Sequence, residues 1–223
     1  MNLFDHDLFL FDFDGLFVNT EPLHFKAYNL ALRDYGVDFD WDFCKYCLFA
    51  HMGTQVFSEA VFKDFPSLQK AEPSWEKVRE TKIAHYQELV KLGPVKLMPG
   101  VTELIQELKI RNLRSCIVTN SNRADLEIIA NHLPFIRQIE WITRENYQEA
   151  KPAPDGYLVA LEKFGGEKPV GFEDTLKGIL SLQAAGVKPI LVCENNHPQL
   201  QDRRLKGVLH YQRIYPLNAF CQE

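Results

Sequence analysis

Apolar runs of strand length recur along the chain with helical patterns between them, and few folds accept that alternation. The runs are Leu8 to Phe13 (LFLFDF), Ser115 to Thr119 (SCIVT), Gln138 to Ile142 (QIEWI), Val170 to Phe172 (VGF) and Pro189 to Val192 (PILV). Such a series suits a parallel sheet whose two faces are both covered by helices, a doubly wound α/β arrangement. In the second half the intervening segments read as helices at Val101 to Arg111, Ala124 to His132, Asp155 to Phe164 and Leu176 to Ala185. Leu104, Ile105 and Leu108 share one face of the first; Ser121 and Asn122 precede the second as caps, and glycines close the last two.

The first half breaks the series. After Gly15 about 80 residues pass without a convincing strand, too many for a loop inside a compact domain. Helical patterns fill the interval at Pro22 to Tyr35, about Asp40 to Phe49, Thr54 to Lys63 and Ser74 to Lys91. The expectation is an α-helical domain over residues 20–94, inserted after the first strand of a sheet domain built from 1–19 and 95–223. Asn19 to Glu21 and Leu92 to Met98 would be the linkers.

With 223 residues and 46% hydrophobic content, the chain can bury one sizeable core and a subsidiary unit. Its net charge of -5 and its lack of Lys/Arg runs argue against a nucleic-acid partner. No stretch approaches the ~18 apolar residues of a membrane span, and MNLFDHD has no basic leader. An odd count of five cysteines suits a reducing compartment, so the expected location is cytoplasmic, with no membrane partner.

In an open parallel sheet, ligands bind outside the carboxyl ends of the strands. There the first run sets two carboxylates, Asp12 and Asp14, one residue apart and just before Gly15. If extended geometry persists that far, both point to one spot. Two unit charges ~4 Å apart repel by ~1 kcal/mol in water and ~4 kcal/mol at the effective dielectric of a protein surface, so something positive should offset them. Mg²⁺ is the economical candidate, because it takes one or two carboxylates and completes its shell with water and substrate phosphate. A solvated turn is the alternative for an isolated D-x-D-G. Other strand ends carry suitable company: Thr119, Asn120 and Ser121; Lys151 in EAKPAPDGY; Glu173 and Asp174.

FDFDGLFVNTEPLH, VTNS, KPAPDGY and GFEDTLKGILSLQAAGV resemble, in order and spacing, the four motifs of the haloacid dehalogenase-like superfamily, and closely the branch of beta-phosphoglucomutase-like phosphatases. The resemblance implies a Rossmann-like core with an α-helical cap and a Mg²⁺-dependent phosphatase for a small phosphorylated metabolite. It implies that Asp12 is the nucleophile and that Asp14 exchanges protons with the leaving group and with water. Thr119, with Asn120 and Ser121 beside it and Gly15 opposite, would cradle the phosphoryl group, and Lys151 would neutralise charge. Mg²⁺ would be held by Asp12, the main-chain carbonyl of Asp14, and Asp174, with Glu173 close by. Relatives that cleave carbon-halogen bonds lack the second aspartate, so Asp14 favours phosphate esters.

For the cap, the resemblance points to Thr20, His24, the stretch around Gly53 (AHMGTQV), and Lys82 as substrate contacts. Mutases of this branch carry an arginine just after that glycine to hold a second phosphate. Here Thr54, Gln55 and Val56 follow, so hydrolysis is expected before phosphosugar isomerisation. Asn19 stands where relatives usually have aspartate. A phosphoacceptor protein is the non-enzyme alternative, disfavoured by the helical insertion and by Pro152 directly after Lys151, and a relative that only binds metabolites is disfavoured by the complete set of catalytic groups. Cys44, Cys47 and His51 fall along one face of a helix; zinc would need a further ligand or an open position, and with no partner pattern visible they read as packing groups.

Overall fold

The computed structural model describes residues 2–93 and 95–215. The chain divides into two compact units, one formed by the N-terminal segment to Asn19 and the chain from Lys96 onward, the other by Thr20–Val95.

The first unit is a six-stranded sheet: β1 (Leu8–Phe11), β2 (Arg114–Val118), β3 (Glu140–Ile142), β4 (Pro169–Glu173), β5 (Lys188–Val192) and β6 (Leu209–Tyr211). The order is β3-β2-β1-β4-β5-β6 and every pairing is parallel. That is a Rossmann-like order, with a topological switch between β1 and β4, where the chain leaves one half of the sheet for the other. All four residues of β1 are fully buried, which explains a run with no polar alternation. Leu8 and Leu10 pack with Tyr157, Ala160 and Leu182, while Phe11 lies against Phe17 and Phe172.

The second unit consists of α1 (Glu21–Asp34), α2 (Phe43–His51), α3 (Thr54–Asp64), α4 (Pro66–Ala71) and α5 (Trp75–Leu92). Its core is strongly aromatic: Phe39, Trp41, Tyr46, Phe57 and Phe65 surround Leu32, Val61, Leu68 and Val78. The remaining helices, α6 (Val101–Ile110), α7 (Arg123–His132), α8 (Asp155–Phe164) and α9 (Leu176–Ala184), connect the strands of the first unit.

Several boundaries differ from the sequence reading. β1 stops at Phe11, not Phe13, because residues 13–18 form a turn: Phe17 N and Val18 N both donate to Phe13 O, and Gly15 takes φ +80°. Phe13 is nevertheless fully buried, by the turn and not by the sheet. α2 begins three residues later than expected, where the Asp42 side chain caps it by accepting from Lys45 N. β6 and α4 were not anticipated. Pro94 and the acidic C-terminal tip lie outside the described residues.

Candidate active site

Beyond β1 the backbone stays tied to the sheet for one more residue, since Asp12 N donates to Phe172 O of β4 at 3.0 Å. The turn then closes on itself: Gly15 N donates to Val18 O at 2.9 Å, and Leu16, Phe17 and Val18 are buried. The two aspartates are thus held on a rigid loop. Their side chains meet different partners. Asp12 accepts from Lys151, and Asp14 accepts from Ser121 Oγ at 2.6 Å.

Lys151 lies between β3 and α8, after the Asn146–Ala150 segment, and is almost wholly buried. Its ammonium uses all three donors: Asp12 Oδ1 at 2.6 Å, Glu173 Oε1 at 2.7 Å and the Val118 carbonyl at 2.7 Å. One cation therefore joins the ends of β1, β2 and β4. The Tyr157 hydroxyl of α8 donates to the same Glu173 oxygen at 2.5 Å, and its ring lies 4.8 Å from the lysine nitrogen. Gly178 lets α9 approach this carboxylate, for a Cβ there would stand 1.9 Å from Glu173.

Burial, reinforced by the charge of Glu173, pushes the Asp12 carboxyl up to about 7 even though Lys151 pulls it down. Burial alone would lower Lys151, but the charges of Asp12 and Glu173 outweigh it and hold the lysine well above its ordinary value. Asp12, Glu173 and Asp174 each offer a carboxylate oxygen, all within 4.8 Å of one another. Three acidic groups face one ammonium, and the donors are all oxygen. That set fits a hard divalent cation such as Mg²⁺.

The loop after β2 supplies hydroxyls and amides. Ser121 N donates to Thr119 Oγ1 at 3.0 Å, which leaves the threonine O–H able to donate elsewhere. Asn120 Oδ1 accepts from Lys151 N at 3.0 Å, and the Tyr147 hydroxyl lies 2.5 Å from Thr119 O and 3.0 Å from the same Asn120 oxygen. On the other side, Gln199 Nε2 donates to Asp174 O at 2.6 Å while its Oε1 accepts from Leu176 N at 2.9 Å, fixing the entry to α9. Tyr147, Tyr157 and Gln199 went unnoticed in the sequence. Each acts from a different part of the chain, and of the three only Tyr157 falls within a quoted motif, as the last residue of KPAPDGY.

The helical unit brings two of its expected residues together. Lys82 Nζ of α5 is 2.7 Å from His24 Nδ1 of α1. The His24 ring stacks on Tyr86 at 4.1 Å, and Lys82 lies over the Tyr28 and Tyr86 rings at 5.3 and 5.0 Å. Thr20 is fully buried at the head of α1, where its carbonyl accepts from His24 N; its side chain makes no cap bond. Gly53 precedes α3 with φ +113°. Cys44 is exposed, so it does not pack as the sequence reading expected, while Cys47 and His51 come together with Glu21.

The haloacid dehalogenase-like hydrolase family model matches residues 9–192. Protein CbbY of Rhodobacter capsulatus is 33% identical over 191 residues, covering 82% of this chain and 83% of its own length. A phosphorylated carbohydrates phosphatase of Thermotoga maritima is 29% identical, covering 81% and 82% of the two chains. The crystal structure of CbbY from Rhodobacter sphaeroides in complex with phosphate superposes with a TM-score of 0.71 at 25% identity, over 92% of this chain and 93% of that one.

Proposed function

The chain belongs to the haloacid dehalogenase-like hydrolases, and from that premise we propose that it is a Mg²⁺-dependent phosphomonoester hydrolase that works through an aspartyl phosphate on Asp12. The observation that carries this reading is the buried Lys151, which binds Asp12 and Glu173 at once beside an Asp14 held by Ser121. One carboxylate is fixed for attack, and the other is fixed separately for proton transfer.

Asp12 Oδ attacks phosphorus, and the departing alkoxide takes its proton from Asp14. Asp14, now a carboxylate, removes a proton from the water that cleaves the acyl phosphate and regenerates Asp12. The 2.6 Å bond from Ser121 fixes the direction in which Asp14 presents its oxygens. The Thr119 hydroxyl and the backbone at Asn120 hold phosphoryl oxygens, Gly15 lets the backbone come close, and Lys151 offsets charge on Asp12 and the phosphate. Mg²⁺ held by Asp12, Asp174, the Asp14 carbonyl and nearby Glu173 would supply positive charge to the phosphoryl oxygens.

The two compact units act as catalytic core and cap in this reading. The substrate is a small phosphorylated sugar, polyol or nucleoside, in keeping with a similar phosphatase of phosphorylated carbohydrates. His24, Lys82, Thr20 and Gly53 contribute its recognition from the helical unit. Thr54, Gln55 and Val56 offer no arginine for a second phosphate, which favours hydrolysis over mutase chemistry. No described helix is long and apolar enough to cross a membrane, and the reduced state of the described cysteines Cys44, Cys47, Cys116 and Cys193 favours the cytoplasm.

The test is phosphate release across a panel of phosphorylated metabolites with and without Mg²⁺, beside Asp12→Asn and a separate glucose 1-phosphate isomerisation assay. Metal-dependent release that disappears in the variant is the expected result. Turnover persisting in Asp12→Asn overturns the nucleophile, and isomerisation without release overturns the hydrolase.

A further inference from the structure

The described residues bring metal-ligating side chains together at a second place, entirely within the helical unit. Cys47 and His51 stand four residues apart on α2 and so share a face, and Glu21 is the first residue of α1. A thiol sulfur, an imidazole nitrogen and a carboxylate oxygen from these three lie within 4.8 Å of one another. His51 Nε2 is 3.7 Å from Glu21 Oε1, with only 10% and 20% of the two side chains exposed. Burial, with the charge of the neighbouring Glu21 adding to it, holds the Tyr46 hydroxyl well above its ordinary value, so a neutral phenol stands beside the carboxylate.

We propose that Glu21, Cys47 and His51 form a binding site for zinc or a similar divalent transition metal, clamping α1 to α2. Thiolate and imidazole are the ligands that separate zinc from magnesium, so this site and the all-oxygen site at the strand ends select different ions. Charge favours it: a divalent cation with one thiolate, one carboxylate and a neutral imidazole leaves a buried site with no net charge. Binding releases the Cys47 thiol proton to solvent and leaves the fourth tetrahedral position for water. Ligand atoms around tetrahedral zinc are about 3.5 Å apart, given bonds of about 2.0–2.3 Å. The Glu21–His51 pair is already near that spacing, and the Cys47 sulfur lies within 4.8 Å of both. Cys44, one turn earlier on α2, is solvent-exposed and takes no part.

The full chain, stripped with a chelator, is titrated with Co²⁺ while the near-ultraviolet charge-transfer band of a thiolate–cobalt bond is followed. One equivalent should generate the band and Zn²⁺ should abolish it. Cys47→Ser should remove the band and His51→Ala should weaken binding at least tenfold, whereas Cys44→Ala, Cys193→Ala and Asp12→Asn should leave it unchanged. Far-ultraviolet circular dichroism of each variant confirms that it is folded, and the serine replacement nearly preserves volume. No band at stoichiometric cobalt overturns the proposal, as does a band that survives in folded Cys47→Ser or that disappears in Cys44→Ala. Because Asp12→Asn keeps this site and loses only the catalytic one, failure of the zinc site and failure of the proposed hydrolase are separately visible.

Discussion

Tyr157 hydrogen-bonds Glu173, one of the two carboxylates that Lys151 holds, and its ring lies under the lysine ammonium, so it acts on the site through those two residues. Tyr157→Phe removes a hydroxyl and almost no volume. The lost bond is to an ionised acceptor, for which a cost of about 1.5–3 kcal/mol is usual. Urea unfolding should register that loss, and phosphatase kcat should fall while KM changes little, since Lys151 and Glu173 lose a restraint and the cap residues do not. An unchanged midpoint in urea would show that the 2.5 Å contact contributes nothing. Asp12→Asn should act in the opposite direction on stability. The carboxyl is pushed up to about 7 in the folded chain against an ordinary value of 3.8, so the folded form keeps a proton that the unfolded form has given up. A raised group of this kind contributes stability below its unfolded pKa and loses it as pH rises through the folded one. With divalent cations chelated, the variant should therefore gain on the parent between pH 4 and pH 7, by up to about 4 kcal/mol. Equal thermal midpoints for the two proteins at pH 4.5 and pH 8 would contradict this.

At the scale of elements, a glycine in α9 decides whether the site can assemble. Gly→Ala inside a helix ordinarily gains roughly 0.5–1 kcal/mol from the unfolded chain. At Gly178 the new methyl would meet the Glu173 carboxylate at 1.9 Å, and Lys151 and Tyr157 hold that carboxylate in place. Gly178→Ala is expected to lower the melting temperature and to abolish activity; a thermal midpoint above the parent's would mean that Glu173 moves freely. Most elements could be read from the sequence because their signals are local. β1 is uniformly apolar and α8 is closed by two glycines, and both follow from period and punctuation. β6 could not be read, since LHY is three residues long and only half-buried at the sheet edge. α4 has six residues and a single buried side chain, Leu68, too short to show a period. In the site, the strand-end residues were legible as a group because parallel topology gathers such ends. Tyr147, Gln199 and the pairing of Glu21 with Cys47 and His51 were not. Those contacts join segments 25 to 30 residues apart through packing that leaves no spacing rule in the chain.

Across the whole molecule, the described side chains that could hold a metal ion fall into two groups with different donors, one in each compact unit. Each unit also has a hydrophobic core of its own, aromatic in Thr20–Val95 and largely aliphatic around β1, β2 and α8 in the other. A ligand stabilises what it binds by RT ln(1 + [L]/Kd), about 2.7 kcal/mol at a hundredfold excess over Kd, and only the cooperative unit that contains the site receives that protection in full. Mg²⁺ added alone should accordingly slow amide exchange in the peptides that carry β1, β2 and β4, with much less effect on those from α1 to α5. The protection should vanish in Asp174→Asn, which removes one of the three clustered carboxylates and leaves Lys151 with both of its partners. Zn²⁺ should show the reverse distribution, centred on α1 and α2. Equal slowing of both units by Mg²⁺ would mean that they open as a single cooperative body, and the separation into two cation-specific halves would then fail.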